Sequence, residues 1–143
     1  MRSGYIMDNI RIKKIYEDTE LIELQISAEA SFVKAFQYCY VQMDDLKRFS
    51  KDVLDYVDNC THGCYVELGS KQGNFTPACS FKFLPSNKFG HLNIEVDIEI
   101  NDNSERLHRC VFYVKSELGL VESFGRALNY LGEEAIDFEI VLN

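Results

Sequence analysis

The sequence predicts an α+β fold in which a mostly antiparallel sheet of about eight strands carries two helices on one face. Several segments alternate apolar and polar residues with a period of two, as half-buried strands do. Two other segments repeat apolar residues at helical spacing. Short runs of turn formers separate these segments, and no linker interrupts the 143 residues. The chain is therefore predicted to be a single domain over 1–143, in the order βββ-α-ββββ-α-β.

The first three strands are predicted before any helical pattern begins. Residues 10–15 and 21–30 should form an antiparallel hairpin around a polar turn at 17–20. Residues 32–41 are aromatic and β-branched with few polar positions, which predicts a central strand covered on both faces. Residues 1–6 precede this pattern, and we expect them to be a disordered lead or an artefact of the start site.

An amphipathic helix is predicted next, over residues 44–58, because apolar residues recur there at helical spacing and charged residues fill the other side. Asp44 or Asp45 is expected to cap its first turn. Four strands should follow, separated by segments rich in turn formers. Their predicted ranges are 64–68, 75–84, 91–100 and 105–115.

The second helix is predicted to begin at Ser116, whose hydroxyl can cap it, and to end at Gly132. Gly119 and Gly125 each cost about 1 kcal/mol relative to Ala in a helix, so both predict a close approach of another backbone. A last strand is predicted over 135–142. No internal repeat is apparent in the sequence.

The charge balance restricts the class of partner. The chain has 15 Lys and Arg against 23 Asp and Glu, a formal net charge of −8. Its average field repels phosphate backbones and anionic lipid surfaces, so neither nucleic acid nor a membrane is a predicted partner. The sequence lacks the apolar core of a signal peptide and any run of about 18 apolar residues. A cytoplasmic location is therefore expected.

The five cysteines are an odd number without the spacing of a secreted disulfide framework, and we expect reduced thiols. Cys60, His62 and Cys64 nevertheless place three possible zinc ligands within five residues, and His108 with Cys110 could complete the set. The C-x₃-C spacing differs from the C-x₂-C of most structural zinc sites. We predict no metal and no cofactor, and interpret the segment as a helix-ending turn with partly buried thiols.

Catalytic chemistry has little support in the sequence. None of the three histidines lies in a hydrolase motif, and His108 would lie about 7 Å from Cys110 along a strand, beyond hydrogen-bonding distance. Glu95, Asp97 and Glu99 project from one face of a strand, but a regular outward stripe is wet and does not raise a carboxyl pKa for acid catalysis. We predict no catalytic residue. The alternative is a small enzyme with a carboxylate or His108 site in a cleft of the sheet.

The acidic face is the feature that indicates binding. The candidate binding residues are carboxylates on one strand and on the first helix: Glu95, Asp97, Glu99, Asp52 and Asp55. If the hairpin turns at 102–104, Asp97 lies across from Arg109 and the stripe is only partly neutralised. Such a surface can steer a basic protein partner, although the same acidity could serve only solubility.

Residues 110–128, with the preceding strand at 94–100, resemble the C-terminal part of small bacterial immunity proteins. These proteins accompany polymorphic toxins of the WapA type or of the contact-dependent growth inhibition type. The shared element is a strand that runs into E-L-G-x-[LV]-x-x-F-G-x-x-L, here Glu117 to Leu128. It covers under a fifth of the chain.

The resemblance implies a cytosolic protein that binds the toxic C-terminal domain of a cognate toxin, often a nuclease, and covers its active site. It implies no catalytic residue and no cofactor. The acidic charge agrees with a partner that carries a basic substrate channel. A homodimer is compatible with the sequence, and a self-associating structural domain is a further alternative.

Overall fold

A computed structural model describes residues 8–69, 78–100 and 108–143. Within these ranges the α+β class and the order βββ-α-ββββ-α-β are confirmed. The elements are β1 (Asn9–Glu17), β2 (Ile22–Ala30), β3 (Val33–Val41), α1 (Met43–Asp58), β4 (Cys64–Leu68), β5 (Ala78–Phe83), β6 (His91–Ile100), β7 (His108–Glu117), α2 (Leu118–Leu131) and β8 (Glu139–Leu142). The expected lead at 1–6, and the first residues of the strands predicted at 75–84 and 105–115, lie outside the described residues.

The strands form two four-stranded antiparallel sheets rather than one sheet. Sheet A has the order β3-β2-β1-β8, and sheet B has the order β4-β5-β6-β7. β3 is therefore an edge strand, and the prediction that it is central and covered on both faces is wrong. Its outward side chains Phe36, Tyr38 and Tyr40 are exposed. Aromatic composition misled the prediction because it indicates surface that can be buried, by the protein itself or by a partner.

The pairing shows a topological repeat that the sequence did not reveal. Each half of the chain consists of three antiparallel strands and a helix, β1-β2-β3-α1 and β5-β6-β7-α2. The strand after each helix then joins the other half, because β4 pairs with β5 and β8 pairs with β1. The two halves exchange their last strands, so neither sheet is complete without the other half.

The core lies between the inner sheet faces and the two helices. On α1, the Phe49 ring stacks on Phe81 of sheet B at 5.9 Å between centroids. It also meets Phe124 of α2 edge-on at 6.2 Å. The Tyr56 hydroxyl donates a hydrogen bond to the Leu84 carbonyl at 2.6 Å, which anchors the end of α1 on sheet B. These contacts place both helices on the inner side of sheet B.

The predicted N-terminal caps of the two helices have different outcomes. In α1 the Asp45 carboxylate accepts the backbone N–H of Gln42 at 2.8 Å, so the predicted acidic cap is confirmed. In α2 the cap assigned to Ser116 is wrong, because β7 continues through Glu117 before the helix begins. The Ser116 hydroxyl instead donates to the Asn143 carbonyl at 3.5 Å.

β8 is shorter than the predicted strand at 135–142. Asp137 has a φ of 77°, in the left-handed region, and its N–H donates to the Lys14 carbonyl at 2.6 Å. This turn interrupts the extended backbone before β8. Ile136 and Phe138 therefore remain exposed although they continue the alternating pattern.

Gly125 lies where the two helices approach closely, as predicted. A Cβ at this position would lie 2.9 Å from Cγ1 of Val53 and 3.1 Å from Cδ2 of Leu54. The Ser50 hydroxyl donates to the Gly125 carbonyl at 2.6 Å, across the same contact. The same prediction for Gly119 is wrong, because a Cβ there would meet nothing within 4 Å.

The two glycines are expected to respond to alanine with opposite signs. Gly125→Ala should lower the free energy of unfolding by about 1–3 kcal/mol, because the added methyl forces the helices apart. Gly119→Ala should raise it by about 0.5 kcal/mol, because alanine favours helix and the space is open. Urea denaturation of both variants measures these changes. Equal shifts in the two variants would contradict the helix contact.

Lys14 is a buried cation, with a side chain only 1% exposed. Its Nζ donates to the carbonyls of Gly132 and Glu134, each at 2.8 Å, and lies 2.6 Å from Oε1 of Glu17. The two carbonyls follow the end of α2, where helix carbonyls lack partners within the helix. Lys14 therefore joins β1 to the end of α2.

Candidate functional site

The outer face of sheet B, called here the B face, carries the predicted acidic stripe. Its described side chains come from all four strands of the sheet: Tyr65, Glu67, Ala78, Ser80, Lys82, His91, Asn93, Glu95, Asp97, Glu99, Arg109, Val111, Tyr113, Lys115 and Glu117. Ile94, Val96 and Ile98 alternate with the carboxylates and are buried. The prediction that the stripe faces away from the core is confirmed.

The register of this hairpin differs from the prediction by two residues. The structure pairs Asp97 with Val111 and Glu99 with Arg109. Ile100 pairs with His108, the last pair among the described residues of this hairpin. A shift of two leaves every side chain on its predicted face, because side chains alternate with a period of two.

Asp97 is paired with Arg109 despite this shift. Arg109 Nε donates to Oδ1 of Asp97 at 3.0 Å, and Nη2 donates to Oδ2 at 2.6 Å. These hydrogen bonds raise the pKa of the Arg109 guanidinium. Asp97 is only 5% exposed. It therefore holds Arg109 in place on the B face and offers little surface to a partner.

Two tyrosines on the B face are held by neighbouring carboxylates. The Tyr113 hydroxyl donates to Oε2 of Glu95 at 2.8 Å, and the Tyr65 hydroxyl donates to Oε1 of Glu67 at 2.7 Å. The hydrogen bond to Glu95 raises the pKa of Tyr113, so this phenol stays protonated at neutral pH. Both rings are about half exposed. The face thus presents aromatic surface beside acceptor oxygens.

The two predicted binding carboxylates of α1, Asp52 and Asp55, do not lie on the B face. α1 packs against the inner face of sheet B through Phe49, so Asp52 and Asp55 are separated from the B face by the sheet itself. Asp55 forms an ion pair with Lys51, whose Nζ lies 2.6 Å from Oδ2. The hydrogen bond to Asp55 raises the pKa of Lys51. The structure does not bring the five predicted binding residues into one site.

The structure does not bring Cys110 to the Cys60–Cys64 segment, as the zinc alternative would require. Cys64 begins β4 and Cys110 lies in β7, and these strands are the opposite edges of sheet B, about 14 Å apart at the usual strand spacing. Among the described residues no three His, Cys, Asp or Glu side chains cluster as a metal site. The side chain of His108 lies outside those described. Burial, with Asp52 and Asp55 nearby, raises the pKa of the Cys64 thiol to about 11.

A cleft of about 780 Å³ opens where β6 begins and β7 ends. His91 and Glu117 face each other across these strands, with Nε2 at 3.3 Å from Oε1. Both side chains are well exposed, and the Ser116 hydroxyl lies on the other face of β7. Within the described part of the chain, no hydroxyl or thiol hydrogen-bonds to His91. This cleft lies at the opposite end of β7 from His108, the histidine named in the enzyme alternative.

Sequence reasoning missed an exposed aromatic surface on sheet A. Phe36, Tyr38 and Tyr40 project outward from β3 and are 55%, 43% and 48% exposed. We call these three side chains the β3 stripe. The signal was present, because aromatic residues at every second position alternate with the smaller Ala35 and Cys39 on the inner face.

No helix in the described ranges combines the length and apolar composition needed to cross a membrane. In comparisons with protein-family models, with curated proteins and with solved structures, none matches this chain significantly.

Proposed function

We propose that this protein is a non-enzymatic binding protein, an immunity protein that neutralises a cognate toxin domain docked on the B face. The observation that carries the proposal is the pair of half-exposed tyrosines, Tyr65 and Tyr113, each hydrogen-bonded to a glutamate on the outer face of sheet B. The resemblance of residues 110–128 to immunity proteins supplies the class of partner.

Tyrosines held in this way suit a protein interface. Tyrosine is enriched at interfaces because its ring supplies a large contact area with few rotatable bonds. The hydrogen bonds to Glu67 and Glu95 restrict both side chains before a partner arrives, which lowers the entropy cost of binding. The remaining lone pairs of these carboxylates can accept from lysine or arginine of the partner.

The net negative charge of the chain supports a basic partner, because its electric field attracts positive charge over a long range. On the B face, five described carboxylates stand against three Lys and Arg side chains, so the face itself carries only a small net negative charge. The net charge of −8 on the whole chain therefore accelerates the encounter, and local contacts select the partner. A toxin domain with a basic substrate channel, such as a nuclease, fits both requirements.

Charge reversal on the B face tests the proposal. Glu95→Lys combined with Glu99→Lys leaves the Asp97–Arg109 pair intact, which a triple reversal would break. The ligand is the purified C-terminal domain of the secreted protein encoded immediately upstream. We expect the association rate to fall about 10- to 100-fold and its salt dependence to weaken. Stopped-flow kinetics at two ionic strengths measure both.

Asp52→Lys combined with Asp55→Lys is the matched control, because it changes the formal charge equally on the far side of sheet B. A smaller decrease in this control is expected. Equal decreases would show that net charge alone acts and that the B face is not the interface. An upstream gene for a metabolic enzyme, or no binding to the encoded domain, would contradict the proposal.

A further inference from the structure

The β3 stripe is a large exposed surface that the proposed toxin site does not use. β3 is nine residues long and forms the edge of sheet A. Lys34 is the one charged side chain on the outward face of this strand, and the strand contains no proline. Natural edge strands are usually protected by charges, prolines or a cover, since a bare edge pairs with other strands. The edge of β3 therefore has the features of a strand that pairs with a partner.

The topological repeat indicates which backbone N–H and C=O groups of β3 point away from β2. On β7, the equivalent third strand of the other half, the outward-facing Lys115 donates its N–H to Oδ2 of Asp8 at 2.9 Å. The N–H groups of outer-face residues therefore point to the free edge in that half. The same holds in β3. A two-residue turn joins Ala30 to Val33, and the two residues that close such a turn hydrogen-bond to each other through their backbone N–H and C=O groups. Inner-face residues such as Val33 thus bond to β2, and outer-face residues point away from it.

The outward edge of β7 hydrogen-bonds to a side chain, whereas the outward edge of β3 does not do so within the described ranges of the chain. Asp8 already accepts from the edge of β7 at Lys115. Among the described residues, none forms a hydrogen bond with the outward backbone groups of 34–40 on β3. The inner side of β3 is covered, because Gln37 Nε2 donates to the carbonyls of Ala78 at 2.5 Å and Glu99 at 3.2 Å. In the part of the chain that the structure describes, no such contact covers the edge or the outer face of β3, which are therefore available to a partner.

We propose that two copies of this chain pair through β3, antiparallel and related by a two-fold axis at Gln37. In this register Phe36 lies opposite Tyr38 of the second copy, and Lys34 lies opposite Tyr40. All four outward residues are then paired, whereas a shift of two in either direction leaves one unmatched. The pairing forms about eight backbone hydrogen bonds, within the range of a typical interface. It joins the two A sheets into one sheet of eight strands.

A second copy fits this surface better than an unrelated strand because the pairing is self-complementary. Phe36 and Tyr38 form aromatic cross-strand pairs on the outer face. Lys34 can place its ammonium over the Tyr40 ring of the second copy, and no like charges meet. The same patch on both partners is what a two-fold interface requires. The inference does not depend on the proposed toxin binding.

Sedimentation equilibrium tests the dimer, with Phe36→Lys combined with Tyr38→Lys as the disrupting variant. We expect the parent at twice the chain mass and this variant at the chain mass under the same conditions. The control is Val111→Lys combined with Tyr113→Lys, at outward positions of the equivalent strand β7, and it should remain dimeric. A monomeric parent at its highest soluble concentration, or a dimeric disrupting variant, would overturn the proposal.

Amide hydrogen exchange of the unmodified protein gives a second test that does not depend on any variant folding. The amides of Phe36, Tyr38 and Tyr40 should be protected in concentrated solution and exchange faster on dilution. The amides of Ala35 and Cys39, which bond to β2, should be protected at both concentrations. Fast exchange at the three outward amides at every concentration would rule out the strand pairing. The β7 control also separates the two proposals, because Tyr113→Lys should weaken toxin binding and leave the dimer intact.

Discussion

Replacing Phe124 with alanine is expected to lower the free energy of unfolding by about 3–5 kcal/mol. Phe124 is 2% exposed, and its ring contacts Phe49, which in turn stacks on Phe81. The substitution opens a cavity where α1, α2 and sheet B meet, and the surrounding rings can collapse into it only partly. A loss of this size is a large part of the 5–15 kcal/mol by which small domains are stable. Urea denaturation followed by circular dichroism measures it.

Tyr130→Ala is the matched control for Phe124→Ala. Tyr130 lies on the same helix with 58% of its surface exposed, so its removal should change stability by less than about 0.5 kcal/mol. If the two variants melted alike, the buried face of α2 would be assigned wrongly. Insoluble expression of Phe124→Ala alone would agree with the expected loss.

Lys14→Met is expected to lower the free energy of unfolding by about 2–4 kcal/mol. Methionine fills a similar volume but cannot donate, so the carbonyls of Gly132 and Glu134 lose their shared partner. An unsatisfied buried polar group costs about 1–3 kcal/mol. Glu17 also loses its cation, but it is partly exposed and water can replace the contact. Chemical denaturation again provides the measurement.

Lys13→Met tests whether burial, and not charge alone, gives Lys14 its effect. Lys13 is the next residue of β1 but faces outward, opposite Gln25 and Glu139. Its replacement should change stability by no more than about 0.5 kcal/mol. An Lys14→Met variant as stable as the parent would show that the lost hydration of the buried ammonium already offsets its hydrogen bonds.

The local pattern was sufficient to predict most elements. The strands predicted at 64–68 and 91–100 have the observed bounds of β4 and β6, and the helix predicted at 44–58 differs from α1 by one residue. These segments repeat apolar residues with the period of their structure, and that period depends only on neighbouring positions. The placement of Glu95 and Glu99 on the outer face follows from the same alternation.

Features that depend on contacts between distant segments were predicted poorly. The first strand was identified from isoleucines at 10, 12 and 15, but a register shift between Lys14 and Tyr16 breaks the alternation there. Lys14 precedes this shift and continues the inward alternation of Ile10 and Ile12, and its charge is accommodated there because the end of α2 supplies carbonyls. The contact between His91 and Glu117 was missed for a similar reason, since it depends on the register of β6 against β7.

The type and order of the elements, the buried side of the clearly alternating strand β6 and the acidic character of the chain could be predicted from the sequence, because these depend on periodicity and composition. The division of the strands into two sheets with exchanged last strands became apparent only from the folded structure. The same is true of the position of β3 at a sheet edge and of the near-complete burial of Asp97. Strand pairing depends on which distant segments bury each other's surface, and alternation along one segment contains no information about its neighbour.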